Sequence, residues 1–424
     1  MKRIYLMLFC LCVFAMSRAQ KIASFEVNPT HVSNGIQMPV SVDLDAVTFL
    51  PDSVLQLVEV QGSKRIPVPY QVQSTGKRVL YWQVDQTGDK AQKHVYELIK
   101  GEARPNGVAG QAKNSFPVIS AKKDTGALTI GTGNRSFLSY YYLTRYPPKG
   151  VDTAYRRSGF IHPLFSPHGQ VLTRIQAPDH YHHYGLWNPW THVLYQKDTI
   201  DFWNLNSKQG TVRFAKFLSM NDGPVFSEYK VLHEHVVLKK GPASGKVAMN
   251  EVQTVRIYQP NNPDYYIMDI TSELNCADTS EVLLLEYRYG GLGWRTTEEW
   301  DNKNSEVLTS EGKTRKDADG TTARWCIVQG KLSNDYGGLE MMSYPGNYNH
   351  PEPLRVWPEN QFVRGDMYAN FDPTKNMNWL LKPGHTYTLH YRFLVFNGHF
   401  TKEKAESAWQ NYSTPPAVQV KIEK

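Results

Sequence analysis

The chain has 424 residues, with 47 Lys and Arg against 40 Asp and Glu, a formal net charge of +7 that is spread without a basic block, which argues against nucleic acid as a partner. Mean hydropathy is −0.49, and beyond the N-terminus no run approaches the ~18 uncharged apolar residues of a membrane helix, which argues against membrane insertion. Aromatic residues make up 12% of the chain, including 25 Tyr and 10 Trp, a composition that favours strands and suits a surface that stacks on sugar rings.

Lys2 and Arg3 precede an apolar run from Ile4 to Met16 and the ending Ser17-Arg18-Ala19, the pattern of a secretory signal peptide over 1–19. Its apolar core is too short to span a bilayer comfortably, and Cys10 and Cys12 lack the small-residue context of a lipoprotein site, so the expected location is periplasmic or secreted. Losing the three basic residues Lys2, Arg3 and Arg18 takes the formal charge from +7 to +4. Short alternating runs such as Val40-Ser41-Val42-Asp43-Leu44 and Val79-Leu80-Tyr81-Trp82-Gln83-Val84 predict an immunoglobulin-like β-sandwich over 20–103. A Gly- and Pro-containing stretch then reads as a linker over 104–113.

From 114 to 424 longer strand-like runs recur, among them Thr254-Val255-Arg256-Ile257-Tyr258 and the segment Tyr387 to Phe396, and predict a large antiparallel β-sandwich. One helix is expected, Lys402 to Tyr412, with Thr401 as N-cap and Ala405, Ala408, Trp409 and Tyr412 on the face that covers the sheet. Cys276 and Cys326 have no metal-finger spacing; a disulfide and two buried thiols both fit.

Six of the 14 histidines, His162, His168, His180, His182, His183 and His192, fall between positions 162 and 192. In Asp179-His180-Tyr181-His182-His183, strand alternation places His180 and His182 on one face and Asp179, Tyr181 and His183 on the other. Two imidazoles on one face can share a divalent metal, or one can act as a base while the other binds a hydroxyl. They can also simply hydrogen-bond within a β-bend.

Trp187, Trp190 and Trp203 follow, and Asp201-Phe202-Trp203-Asn204 sets a carboxylate beside an indole, a pairing that suits a sugar and also suits a core. The run Val282 to Leu285 predicts a buried strand whose alternation points Glu286 and Arg288 into apolar space, where charges need a partner or a ligand. Gly290, Gly291 and Gly293 allow another backbone or a ligand to come close, and Arg295 follows. The loop Ser343 to Pro351 carries His350, and Arg355 and Trp357 come next. Nucleophile elbow, HExxH and phosphate-loop motifs are absent from the sequence.

Five segments together resemble the PmoA-like family of exported bacterial proteins: Phe160 to Gly169, Asp179 to Trp187, Asp201-Phe202-Trp203, Tyr289 to Arg295, and Leu381-Lys382-Pro383-Gly384-His385. The resemblance covers most of the chain after about Asn114 and implies a carbohydrate ligand in polysaccharide utilisation. The segment Leu381 to Gly398 is similar to the closing strands of galactose-mutarotase-like supersandwiches, which implies that fold for residues 114–424.

The resulting expectation is an exported carbohydrate-active protein acting on a glycoside or sugar by hydrolysis, elimination or isomerisation. His180, His182 and His183 with Glu286 would be catalytic. Trp187, Asp201, Trp203, Arg288, Arg295 and His350 would bind the substrate. The alternatives are a carbohydrate-binding protein without catalysis and a metal-dependent lyase or oxidoreductase, with a divalent metal at His180 and His182.

Overall fold

The computed structural model describes residues 20–85, 90–101, 116–361 and 364–423. The expected signal peptide and the expected linker at 104–113 lie outside them. About 52% of the chain is strand and 5% helix, and every paired strand is antiparallel, so the all-β sandwich prediction holds.

The larger unit is built from two eight-stranded sheets. One runs, in spatial order, Gly210–Asn221, Phe226–Val237, Val247–Tyr258, Tyr265–Cys276, Tyr387–Asn397, Asp335–Ser343, Trp325–Leu332 and Ser305–Thr309. The other runs Leu354–Val356, Tyr368–Phe371, Gly293–Arg295, Leu186–Trp187, Phe160–Leu164, Arg135–Tyr141, Ala127–Thr132 and Ser120–Lys123. Leu128, Ile130, Leu138 and Tyr140 of the second sheet share a core with Val231, Val255, Ile257, Ile270 and Val395 of the first.

At the end of the strand Tyr387–Asn397 the first sheet is buried on both faces, which explains the unbroken apolar run Phe393-Leu394-Val395-Phe396. Phe393 and Val395 point into the inter-sheet core; Leu394 and Phe396 join Trp325, Ile327 and Phe226 under the helix Lys402–Ser413. That helix starts where Thr401 Oγ1 accepts from Lys404 N at 3.4 Å. It is fixed to the sheet by Trp409 Nε1 donating to Ser343 O at 3.0 Å and by the Arg324–Glu406 ion pair at 2.8 Å. Cys276 and Cys326 are buried free thiols, and burial pushes the Cys326 thiol up to about 12.

The N-terminal unit is a smaller sandwich with its own core, in which Phe25 and Trp82 stack at 5.5 Å beside Tyr96 and Leu98. One sheet holds Met38–Asp43, Lys77–Val84 and Tyr70–Thr75. The other holds Gln20–Asn28, His94–Lys100, Leu55–Gln61, Lys64–Pro67 and a fifth strand from the far end of the chain, Ala417–Ile422. This last strand pairs with Gln20–Asn28 from Ala23↔Ile422 to Asn28↔Ala417, so the large sandwich ends before residue 417 and the small one extends beyond 20–103. Arg256 joins the units: its guanidinium lies 4.0 Å from the Phe226 ring and 4.8 Å from Tyr81, and it pairs with Glu228 at 2.6 Å.

Deleting residues 415–424 should strip amide-exchange protection from Gln20–Asn28, whose edge then faces water, while Val247–Tyr258 keeps its protection. Unchanged protection of Gln20–Asn28 would show that the C-terminal strand does not hold the small sandwich together.

Candidate functional site

The histidine segment forms the strand His180–Tyr184, paired with Ile175–Ala177. The register runs from Ile175↔Tyr184 to Ala177↔His180, leaving Gln176 alone, at φ 50°, opposite Tyr181, His182 and His183. This bulge breaks simple alternation. His183 therefore turns to the same side as His180 and His182, which corrects the expected split between two faces. The ring centroids are 5.3 Å apart for His180–His182, 4.6 Å for His180–His183 and 4.7 Å for His182–His183. One ring nitrogen from each lies within 4.8 Å of the others.

Gly185 ends the strand at φ 64°, where a Cβ would stand 2.3 Å from Ile161 O. Only glycine fits that turn. Its amide donates to Arg174 O and its carbonyl accepts from Arg295 N, both at 2.9 Å, so the turn delivers the histidines beside Arg174 and Arg295.

Arg295 is 1% exposed and donates from Nη2 to both oxygens of Asp179, at 3.1 and 2.8 Å. The same nitrogen lies 3.1 Å from Asp366, which also draws in Arg364 at 3.1 Å. Asp179 in turn accepts from His180 Nδ1 at 2.9 Å. Burial pushes the Asp179 carboxyl up, but the His180 hydrogen bond and the charge on Arg295 outweigh it and hold the group ionised, well below the usual carboxylate range. His182 goes the other way: burial, aided by His180 and Arg157, lowers it to about 3. Burial likewise holds His183 far below its ordinary value. At neutral pH both rings are uncharged and offer a lone pair.

A layer of buried aromatic residues backs the cluster. His183 packs 5.0 Å from Trp187, 5.3 Å from Tyr368 and 5.6 Å from Trp357, and Trp357 lies 4.9 Å from His180 and 4.6 Å from the Arg295 guanidinium. Trp187 is 1% and Trp203 2% exposed, so both support the histidine rings from within and neither offers a face to a sugar. The expected role of these two indoles as a binding platform is corrected accordingly. Partly exposed rings lie nearby instead: Tyr181 and Tyr155 are 5.5 Å apart.

Several expected site residues lie elsewhere. Glu286 is exposed and makes none of the contacts that join the histidines; its amide donates to Asn378 Oδ1 at 2.7 Å. The reason is that the strand stops at Leu284, so alternation ends before the charges and turns neither Glu286 nor Arg288 inward. Arg288 is exposed over the Tyr287 and Tyr289 rings. Asp201 caps a turn, accepting from the amides of Trp203 and Asn204 at 2.8 and 2.9 Å. His350 bonds Ser343 Oγ at 3.1 Å beside the buried Glu352, under the helix. His162 pairs with Thr173, His168 with Asp335 and Asp264, and His192 packs on Tyr287.

Asp366 and Arg174 gave no sequence signal, since nothing but the fold brings them to Asp179. Also unanticipated is a buried polar chain beneath the site: Tyr140 Oη and His233 Nε2 at 2.7 Å, His233 Nδ1 and Glu251 at 3.1 Å, and Asn188, next to Trp187, donating to Glu251 at 2.6 Å. The His233-x-His235 spacing on one strand was the available clue. Arg157, 2% exposed, lines a separate cavity of about 560 Å³ with Arg156, Lys208 and Arg213, and burial lowers it to about 10.

The neutral state of His182 sets a pH dependence. Its folded value lies below the unfolded one, so its contribution to stability is complete above about pH 6.5 and is lost as pH falls towards 3. His182→Gln should therefore remove roughly 2 kcal/mol of the stability difference between pH 6.5 and pH 5. Denaturant melts at the two pH values measure it, and equal differences in wild type and variant would refute the assignment.

No curated protein sequence matches the chain. Among solved structures, it is similar to an alpha-mannosidase from Enterococcus faecalis, at 11% identity and a TM-score of 0.39, over 95% of this chain and 46% of that one. It is also similar to a glycosyl hydrolase family 38 protein from Enterococcus faecalis, at 9% identity and a TM-score of 0.42, over 95% and 47%. The chain thus spans about half the length of these proteins, and at that likeness neither activity transfers to it. A family model matches residues 127–410, which hold both large sheets almost entire and every residue of the histidine site. The chain belongs to that family, described as a family of unknown function, DUF6807.

Proposed function

We propose that the protein is an exported carbohydrate-active protein that binds and transforms a sugar at the face formed by Asp179, His180, His182 and His183. The observation that carries this reading is the convergence of three imidazoles, two of them uncharged at neutral pH, on a carboxylate held by a buried guanidinium. Perturbed groups gathered at one place beside an exposed face support a reaction site. Neutral imidazoles supply a base or a ligand nitrogen. Arg174, its side chain 19% exposed and 3.7 Å from both Glu298 and Asp366, is a cation at the rim that suits a hydroxyl or a uronate carboxylate.

With Glu286 on the surface, paired-carboxylate hydrolysis through that residue is not part of the reading. Base-driven chemistry, elimination or isomerisation, uses what is present. The resemblance to PmoA-like exported proteins supports the carbohydrate ligand and the exported location. Among the described residues no helix is long and apolar enough to cross a membrane.

The test is incubation of the purified protein with a panel of neutral and uronate-containing oligosaccharides, reading binding by calorimetry and product by chromatography. Wild type should convert at least one member, and Asp179→Asn or His182→Ala should lower turnover by about 10²-fold or more with the melting curve intact. Binding without product in the wild type would leave the non-catalytic reading, and neither binding nor product across the panel would overturn the proposal.

A further inference from the structure

We propose that His180, His182 and His183 together hold one divalent first-row transition-metal ion, with zinc as the expected occupant. Strand alternation offers two imidazoles on a face; the bulge opposite Gln176 brings in the third, and three nitrogens are what a catalytic zinc centre takes from a protein while leaving a position open. Zinc–nitrogen bonds of about 2.0–2.1 Å put neighbouring ligand nitrogens about 3.4 Å apart. The three nitrogens already lie within 4.8 Å of one another, so modest ring rotations close the set.

Three further features fit an ion. Asp179 accepts from His180 Nδ1, which fixes the tautomer and leaves the Nε2 lone pair as the donor, the carboxylate–histidine arrangement found behind metal ligands. Asp179 is itself immobilised by Arg295. His183 is 1% exposed, and its Nδ1 has no hydrogen-bond partner among the described residues, an unexplained polar atom in an aromatic setting that a metal ligand or its orienting contact accounts for. The all-imidazole set selects for zinc, copper, nickel or iron over calcium and magnesium, which want oxygen ligands.

His180 and His182 are only partly buried, so the open coordination position faces the surface on which the sugar is placed above. There the ion would take a water or a sugar hydroxyl. In that respect the inference rests on the proposed function, but its test does not, because no sugar is used.

The full-length protein, stripped with a chelator and dialysed, is titrated with zinc sulfate by calorimetry and with cobalt chloride by visible absorption. One zinc per chain should bind with a Kd at or below the micromolar range, and cobalt should give the intense bands of a four- or five-coordinate site. His182→Ala should weaken zinc at least 100-fold, and Asp179→Asn, which touches no ion, should weaken it 10- to 100-fold. Since loss of a buried ring could unfold the strand, circular dichroism melts accompany each variant, and the near-isosteric Asp179→Asn carries the conclusion if His182→Ala does not fold. Absence of stoichiometric zinc and cobalt binding by wild type, or equal affinity in wild type and Asp179→Asn, would overturn the proposal. A protein that binds zinc but no oligosaccharide would leave this inference standing and sink the sugar assignment.

Discussion

The Arg295 guanidinium is 1% exposed, and its Nη2 is held by Asp179 and Asp366, drawn in from different segments of the chain. Arg295 sits on the short strand Gly293–Arg295, hydrogen-bonded between Leu186–Trp187 and Tyr368–Phe371. Gly293 lets that strand in: a Cβ there would stand 2.5 Å from the Tyr368 hydroxyl. With the strand fixed, the guanidinium fixes Asp179, Asp179 fixes His180, and the stacked ring of His183 follows. Taking away the cation would strip Asp179 of its ion pair while Asp366 keeps Arg364 at 3.1 Å, a loss on the order of 3 kcal/mol.

The site is thus a rigid object on a surface whose stiffness comes from behind. The central eight-stranded sheet is packed on one side by its partner sheet and, over part of the other, by the helix and the small sandwich. Trp187, Trp203, Trp357 and Tyr368 form a separate aromatic cluster between that core and the histidines. Buried indoles have few alternative rotamers in a close-packed setting, so the imidazoles above them are limited to small rotations.

Much of the architecture was legible because it is written locally. The β-rich composition, the two sandwiches and the helix cap at Thr401 follow from period-2 patterning and turn residues, which depend on neighbours in the sequence. The density of histidines near 180 likewise pointed to the right strand. What escaped were matters of register and distance. The irregular register sets Tyr181, His182 and His183 against the single residue Gln176, and nothing in the residue types announces it. Glu286 and Arg288 were placed inward by extending an alternation two and four residues past the end of its strand. Trp187 and Trp203 could equally be core or platform by composition, and only packing decides. Asp366 is 187 residues from Asp179, and their meeting is a property of the whole sheet.

The pairing of Gln20–Asn28 with Ala417–Ile422 joins segments nearly 400 residues apart. A ribosome makes the first of these long before the last. The small sandwich, although it stands near the N-terminus, therefore lacks an edge until the entire large sandwich has been synthesised, and its first strand must wait with one side unsatisfied. Closure of the leading unit is thereby tied to the far end of the large one: the edge of Gln20–Asn28 stays open until Ala417–Ile422 pairs with it.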